Sequence, residues 1–257
     1  MSEERKTYLK RIKREKNIIR ISQIFILILF FTIWELLSRL NVIDTFMLSS
    51  PFKIINTIIN TDNILEHVLT TLKEIIISFI LGNIIGFIIS SILWFNKRLN
   101  LILDPYLTII NSLPKVALGP LIIILIGANE KSIIIMALLI SSIISILNMN
   151  TAFNNTDKNL IKVIKSFGGN KFDIFYRVVV PSNINYIIDS FKVNISMCFV
   201  GVIMGEFLVS KKGIGYIINY GSQIFNMNLV LTGITLLILL TIILYLIVEK
   251  ITSKIKR

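Results

Sequence analysis

The stretch Asn159-Leu-Ile-Lys-Val-Ile-Lys-Ser-Phe-Gly-Gly-Asn-Lys-Phe-Asp-Ile-Phe-Tyr-Arg-Val-Val-Val-Pro181 is the one extended polar interruption between long apolar runs. Leu160, Ile161, Ile164 and Phe167 fall at helical spacing, and Gly168-Gly169 stops the run as a helix C-terminal cap does. A second short amphipathic turn is expected next, with Phe172, Phe175 and Tyr176 on one face and Lys171, Asp173 and Arg177 elsewhere. Pro181 then opens the following apolar run, at a position where a missing N–H matters little. The whole loop, residues 148–183, is too short to be a domain of its own. Its mixture of Lys and Phe also suits a helix lying among lipid headgroups.

Outward from this loop the chain reads as membrane-spanning. Of 257 residues, 54% are apolar and only 16% charged, against about 25% charged in ordinary soluble domains. The mean hydropathy of +0.78 agrees. Disordered and collagen-like classes are excluded by the scarcity of charge, Pro and Gly. A crossing helix needs about 20 apolar residues. Six candidates satisfy this roughly: 18–40, 68–95, 101–126 (which holds Pro114 and Pro120), a short 132–147, 184–209 and 224–248. The expected fold class is therefore all-α, a polytopic membrane protein with about six transmembrane helices. Its organisation is a basic tail over 1–17 and a transmembrane domain over 18–257.

Orientation follows from the positive-inside bias. The tail carries Arg5, Lys6, Lys10, Arg11, Lys13, Arg14, Lys16 and Arg20. Placing it in the cytoplasm also places there Lys97, Arg98, the loop's Lys158, Lys162, Lys165, Lys171 and Arg177, and the terminal Lys250, Lys254, Lys256 and Arg257. Both termini are then cytoplasmic. The first apolar run is too long for a signal-peptide core and lacks a small-residue cleavage site, so it reads as an uncleaved span. The tail itself reads as a topology signal attracted to anionic headgroups rather than a nucleic-acid arm.

Chemistry-bearing residues are sparse. A single cysteine, Cys198, and a single histidine, His67, leave little basis for metal or thiol catalysis. No G-x-x-x-x-G-K-[ST] loop is present to hold nucleotide phosphates, so if the chain is part of a pump its energy has to come from another polypeptide. Polar groups inside spans mark a candidate pathway: Asn111, Ser112 and Lys115 around Pro114, and Asn194 and Glu206 in the fifth span. Lys115 either attracts an anionic solute or pairs and snorkels; Glu206 gates, pairs with Lys211 or Lys212, or reaches water. Gly82 and Gly86 form a Gly-x-x-x-Gly spacing suited to close helix packing. A self-sufficient channel or ion-coupled carrier is the alternative of a different class, but it calls for midplane acids or inverted repeats, and Asp104, Asp189 and Glu206 all fall near span ends.

The loop's small helix, Gly168, nine residues, Val178, Val180 and Pro181 resemble the EAA loop of bacterial ABC-importer permeases. The motif's Glu is Lys162 here, and its two Ala positions are Val163 and Ile164. Trp34-Glu35-Leu36, Leu48-Ser-Ser-Pro51, Asp104-Pro105, Leu113-Pro-Lys-Val-Ala-Leu-Gly-Pro-Leu121, Gly127-Ala-Asn-Glu130, Gly205-Glu206 and Gly213-Ile-Gly215 are similar to the nitrate/sulfonate/taurine branch. The resemblance implies a type I importer permease fold and a non-catalytic subunit working by alternating access. It implies a coupling loop made of Lys162, Ser166, Phe167, Gly168, Gly169, Asn170, Phe172, Asp173, Phe175 and Pro181. Implied partners are cytoplasmic ATPase subunits that bind ATP and Mg, an external solute-binding protein, and a second permease subunit forming a homodimer. No cofactor is implied on this chain. The implied solute is a sulfonate-, taurine- or nitrate-like anion, with a thiamine-precursor pyrimidine or related vitamin as runner-up.

Overall fold

Long apolar stretches satisfy their backbone hydrogen bonds within the segment, so they fold as helices whatever surrounds them. The computed structural model describes residues 3–255, without the side chains of residues 3–7, 9, 10, 254 and 255. Lys256 and Arg257, and the side chains of Arg5, Lys6, Lys10 and Lys254, which count toward the charge bias, lie outside the described residues. In chain order the helices are α1 (Glu3–Arg39), α2 (Thr45–Leu48), α3 (Pro51–Asn60), α4 (Ile64–Phe95), α5 (Lys97–Ser112), α6 (Gly119–Ile126), α7 (Glu130–Asn154), α8 (Lys158–Ser166), α9 (Lys171–Ile174), α10 (Val180–Ser182), α11 (Ile184–Val209), α12 (Ile214–Gln223) and α13 (Met227–Ile255). No strand occurs among the described residues.

Five of these helices are long and apolar enough to cross a membrane. The expected third span is not a straight helix. Leu113 is extended, with φ −66° and ψ 141°, because the ring of Pro114 bars the preceding residue from the helical region. A 3₁₀ turn over Lys115–Leu118 follows, and the two parts of the run are bent by 85°. The expected fourth span is longer than its apolar run. Asn129 and Ser132 cap each other's backbone at its start, and the helix continues beyond Leu147 to Asn154.

The described residues divide into two units, Met1–Asp62 with Gly221–Thr232, and Asn63–Tyr220 with Gly233–Arg257. In the first unit, α1 exposes nearly its whole apolar surface, Ile24 to Phe31 included. Its end is tied to α3, because Glu35 accepts from Arg39 (2.8 Å) and from the backbone N–H of Phe52 (3.1 Å). Ser50 caps α3 by accepting from the N–H of Lys53, with Pro51 in the first turn.

In the second unit α4, α7 and α11 form the centre. Small residues allow the close approach: a Cβ at Gly86 would collide with Ser145 of α7, and one at Gly201 with the backbone of Ala137. One apolar cluster joins Ile75, Ile133, Ala137, Ile195, Cys198, Val202 and Leu240. A second, aromatic cluster lies at the α8 end of the same unit, with Met149, Phe153, Ile174, Phe175, Val179 and Ile187 packed by Phe87, Trp94 and Phe95. The opposite end is marked by Lys73 and Glu130, paired at 2.7 Å.

Candidate functional site

The segment 157–183 is built from local rules. Asp157 caps α8 by accepting from the N–H of Asn159 (2.8 Å). At the other end the N–H of Gly169 donates to Ile164 O and the N–H of Gly168 to Lys165 O, both at 3.0 Å, which is a Schellman closure. Gly168 has φ +78° with open space around it, so its glycine serves the left-handed backbone rather than packing. Asn170 and Asp173 then form a reciprocal capping box, each accepting at 3.0 Å from the other's backbone N–H. Ser166 donates to Val163 O (2.8 Å), and Arg177 pairs with Asp173 at 3.6 Å.

This framework gives α8 two apolar sides. Ile161 and Ile164 pack inward on the aromatic cluster. Leu160, Val163 and Phe167 point outward, with Phe167 84% exposed, and the outward side also carries the exposed Lys162. Phe172, 63% exposed, packs on Phe95 with its ring tilted by 40° and the ring centroids 4.9 Å apart. Phe175, expected on one face with Phe172 and Tyr176, is instead turned inward. It is 1% exposed and surrounded by Phe95 (5.0 Å), Trp94 (5.1 Å) and Phe153 (5.5 Å). The wider π turn over Phe175–Val179 breaks the 3.6-residue period and rotates Phe175 into the bundle, leaving Tyr176 exposed. Pro181 lies in the single turn α10, one residue short of the break at Asn183.

At the far end of the unit, Glu206 neither reaches water nor pairs with Lys211 or Lys212. It is 1% exposed and accepts from Thr71 Oγ1 (2.6 Å) and from the N–H of Gly215. Three successive loop amides are thereby taken up, since the N–H of Ile214 donates to Thr71 Oγ1 (2.8 Å) and that of Gly213 to His67 Nδ1 (3.0 Å). A carboxylate at the first turn of α12 also meets the favourable end of the helix dipole. A Cβ at Gly213 or Gly215 would collide with the Glu206 side chain, which accounts for the Gly-Ile-Gly sequence. Glu74, buried as well, lies against Glu206, and Lys212 pairs with Glu66 instead.

The remaining candidates fall in separate places. Lys115 Nζ donates to Asn111 O (2.8 Å) and Asn111 Oδ1 (3.2 Å), so the ammonium caps the broken end of α5. Ser112 Oγ is spent on Thr108 O (2.9 Å). Asn194 is fully buried beside Gly82 and Ser141, with neither amide atom hydrogen-bonded. No group of three or more His, Cys, Asp or Glu suited to a metal ion occurs among the described residues.

A polar-capped helix held at one end of an apolar bundle is a shape with known relatives. The model of the family "Binding-protein-dependent transport system inner membrane component" matches residues 82–257. The chain belongs to that family. Similar proteins include a probable ABC transporter permease of Haemophilus influenzae, 23% identical over 83% of this chain and 87% of its own length. A putative aliphatic sulfonates transport permease, SsuC, of Bacillus subtilis is 25% identical over 79% and 74%. The formylaminopyrimidine transport permease ThiX of Halalkalibacterium halodurans is 25% identical over 72% and 74%. Among solved structures, an inward-facing MetNI methionine ABC transporter matches with a TM-score of 0.67 at 17% identity, over 75% of this chain and 96% of that one.

The chain is thus a permease subunit of an ABC importer, a multi-pass membrane protein whose family is non-catalytic and works with separate ATPase and binding-protein partners. In this permease the outward side of α8 adds Leu160 and Val163 to the residues singled out from sequence. Their i, i+3, i+7 spacing with Phe167 was the available signal. Nothing in sequence separated that stripe from the inward one at Ile161 and Ile164, because the two interleave.

Proposed function

We propose that α8 is the coupling helix of this importer and that Leu160, Val163 and Phe167 fill a groove on a cytoplasmic ATPase. The observation that carries this reading is an apolar stripe left exposed on a short helix that is itself firmly anchored. Such a patch outside the apolar spans marks an interaction surface. Lys162, Lys165 and Lys171 flank the stripe as a basic rim. ATP and Mg bind on the partner, and closure of the ATPase pair pushes α8, which moves the bundle through Phe175. Two copies of the permease, related by a two-fold axis, enclose the pathway. The basic residues near the α8 end, Lys97, Arg98 and the loop lysines, support a cytoplasmic position for that end and for both termini.

The solute is a small molecule or anion handed over by the binding protein. The resemblance leads first to a sulfonate-, taurine- or nitrate-like anion and second to a thiamine-precursor pyrimidine or related vitamin. The coupling reading is tested by co-expressing the chain with the ATPase encoded beside it. Phe167→Asp and Val163→Asp are expected to lose ATPase on purification while the permease itself remains folded. Full retention of the ATPase and of its stimulated turnover in both variants refutes the assignment.

A further inference from the structure

The broken run between α4 and α7 crosses the membrane. Lys73 pairs with Glu130 near the starts of α4 and α7, and further along Ser90 Oγ donates to Ile146 O (2.9 Å), so the two helices run parallel. Residues 97–126 therefore return from one face to the other. The return is interrupted at 113–118, where Leu113 (ψ 141°) and Pro114 (ψ 84°) leave the helical region before the 3₁₀ turn. Gly119 sets the depth of the break: a Cβ there would collide with Leu208 and press on Met136, about 9 Å along α7 from Glu130. The break is anchored from behind by that contact, but in front Leu113, Val116 and Leu118 are exposed. Irregular backbone at membrane depth is not turned to lipid; it is covered by protein or lines a water-filled cavity. The contrast within the unit is plain: α13, an unbroken helix, exposes Ile238, Leu239, Ile242, Ile243 and Leu246, as a lipid face does.

Lys115 decides between protein and water. Its ammonium turns back onto α5, where Asn111 O and Oδ1 take two of its three N–H donors, instead of extending toward the nearer interface as a snorkelling lysine does. Among the described residues it forms no ion pair. The carboxylates at this end of the unit are engaged elsewhere: Glu130 with Lys73, Glu66 with Lys212, and Glu206 with Thr71 and the Gly215 N–H, Glu74 lying against it. A dry subunit contact over the break would enclose an ammonium with no counter-ion, which is the costly arrangement. Water in front of the break removes that cost, and leaves one N–H and a full positive charge facing whatever passes.

We propose that the break at 113–118 is a wall of the aqueous translocation route and that Lys115 is its anion-recognising residue, taking a small oxyanion of the sulfonate or nitrate kind. The proposal rests on the permease reading. The two bonds to Asn111 hold the ammonium in one place, so its remaining N–H is ready to make a charge-assisted bond to an anionic oxygen. Fixed cationic side chains at a constriction select anions in pores for the same reason.

The test uses the permease with its ATPase in lipid nanodiscs, carrying Val116→Cys in the break or, as a lipid-facing control, Ile242→Cys on α13. The two positions are 42% and 50% exposed, so the surrounding medium is what distinguishes them, and the native Cys198 is buried. Rates of modification by a trimethylammonium-ethyl and a sulfonato-ethyl methanethiosulfonate, neither of which enters lipid, are divided by their rates on 2-mercaptoethanol. We expect position 116 to react and position 242 not to. The anionic reagent should be favoured by roughly three- to tenfold, the effect of one unit charge nearby at intermediate dielectric. Lys115→Gln, which keeps a donor for Asn111 O, should abolish the preference, and Lys115→Arg should keep it. Sodium ethanesulfonate should slow the reaction at position 116, and sodium chloride at the same concentration should not. No reaction at position 116 in an intact complex, with or without ATP and vanadate, shows the break sealed by a second subunit and overturns the wall. Reaction without an anionic preference, or with one that survives Lys115→Gln, overturns the anion role, as does equal slowing by the two salts. Copurified ATPase reports that each variant is folded; where Lys115→Gln fails to assemble, the salt comparison on native Lys115 decides. Failure of the ATPase to bind the unsubstituted chain is a separate result that removes the permease reading and the proposal with it.

Discussion

Gly168 and Gly213 both have positive φ, +78° and +104°, yet they answer to different constraints. Around Gly168 there is open space, so Gly168→Ala is expected to cost only the left-handed backbone, about 1–2 kcal/mol. Gly213→Ala adds a collision with the Glu206 carboxylate and should lower the thermal midpoint of the purified permease several times further. Glu206→Gln keeps one acceptor oxygen, for the Gly215 N–H, while the Thr71 hydroxyl turns to the His67 carbonyl it already reaches. Glu206→Ala leaves the buried Gly215 N–H unpaired, worth about 1–3 kcal/mol, so the Ala variant should be the less stable of the two in a melting assay. A smaller midpoint loss for Ala than for Gln would refute this role. Gly168 was legible in sequence because a cap is a local device. The partners of Glu206 were not: Thr71 lies 135 positions away, and only the packing of α4 against α11 brings them together. Lys115 shows the intermediate case, for the break at Pro114 was legible but not that the neighbouring ammonium would reach back to Asn111 O.

At the scale of elements, α8 divides stability from coupling. Phe175 fixes the segment to the bundle, and Phe175→Ala should destabilise the permease by about 3–5 kcal/mol, seen as a lower denaturation midpoint and poor yield. Phe167, 84% exposed, makes no such contribution, and Phe167→Ala should leave the midpoint unchanged while weakening ATPase association. Equal destabilisation by the two would contradict the division. The sequence put Phe172, Phe175 and Tyr176 on one face, but in a segment that contains a π turn Phe175 is buried while the other two are exposed. Element existence was otherwise readable from apolar length: 184–209 coincides with α11, and 68–95 falls within α4. Length alone failed at 101–126, where Pro114 turns one run into two helices bent by 85°, and at α7, where polar residues after Leu147 remain helical because their backbone continues the ladder.

For the whole molecule, the account is one of a conduit whose power arrives from outside. Lipid-facing α13, the Glu206-held loop at one end and the α8 lever at the other are each explained by what they touch, and family membership supplies the partners that complete them. Purified permease reconstituted without its ATPase should therefore accumulate no radiolabelled sulfonate or pyrimidine against a gradient, and uphill uptake should appear only when ATPase, binding protein and ATP are supplied. Uphill uptake by the permease alone would restore the carrier alternative. The most direct measurement places a photo-crosslinking amino acid at position 167, and as control at Leu65, 67% exposed on α4, in permease co-expressed with the ATPase. The account expects an ATPase adduct from position 167 and none from position 65; an intact complex that gives an adduct from position 65 and none from position 167 would contradict it.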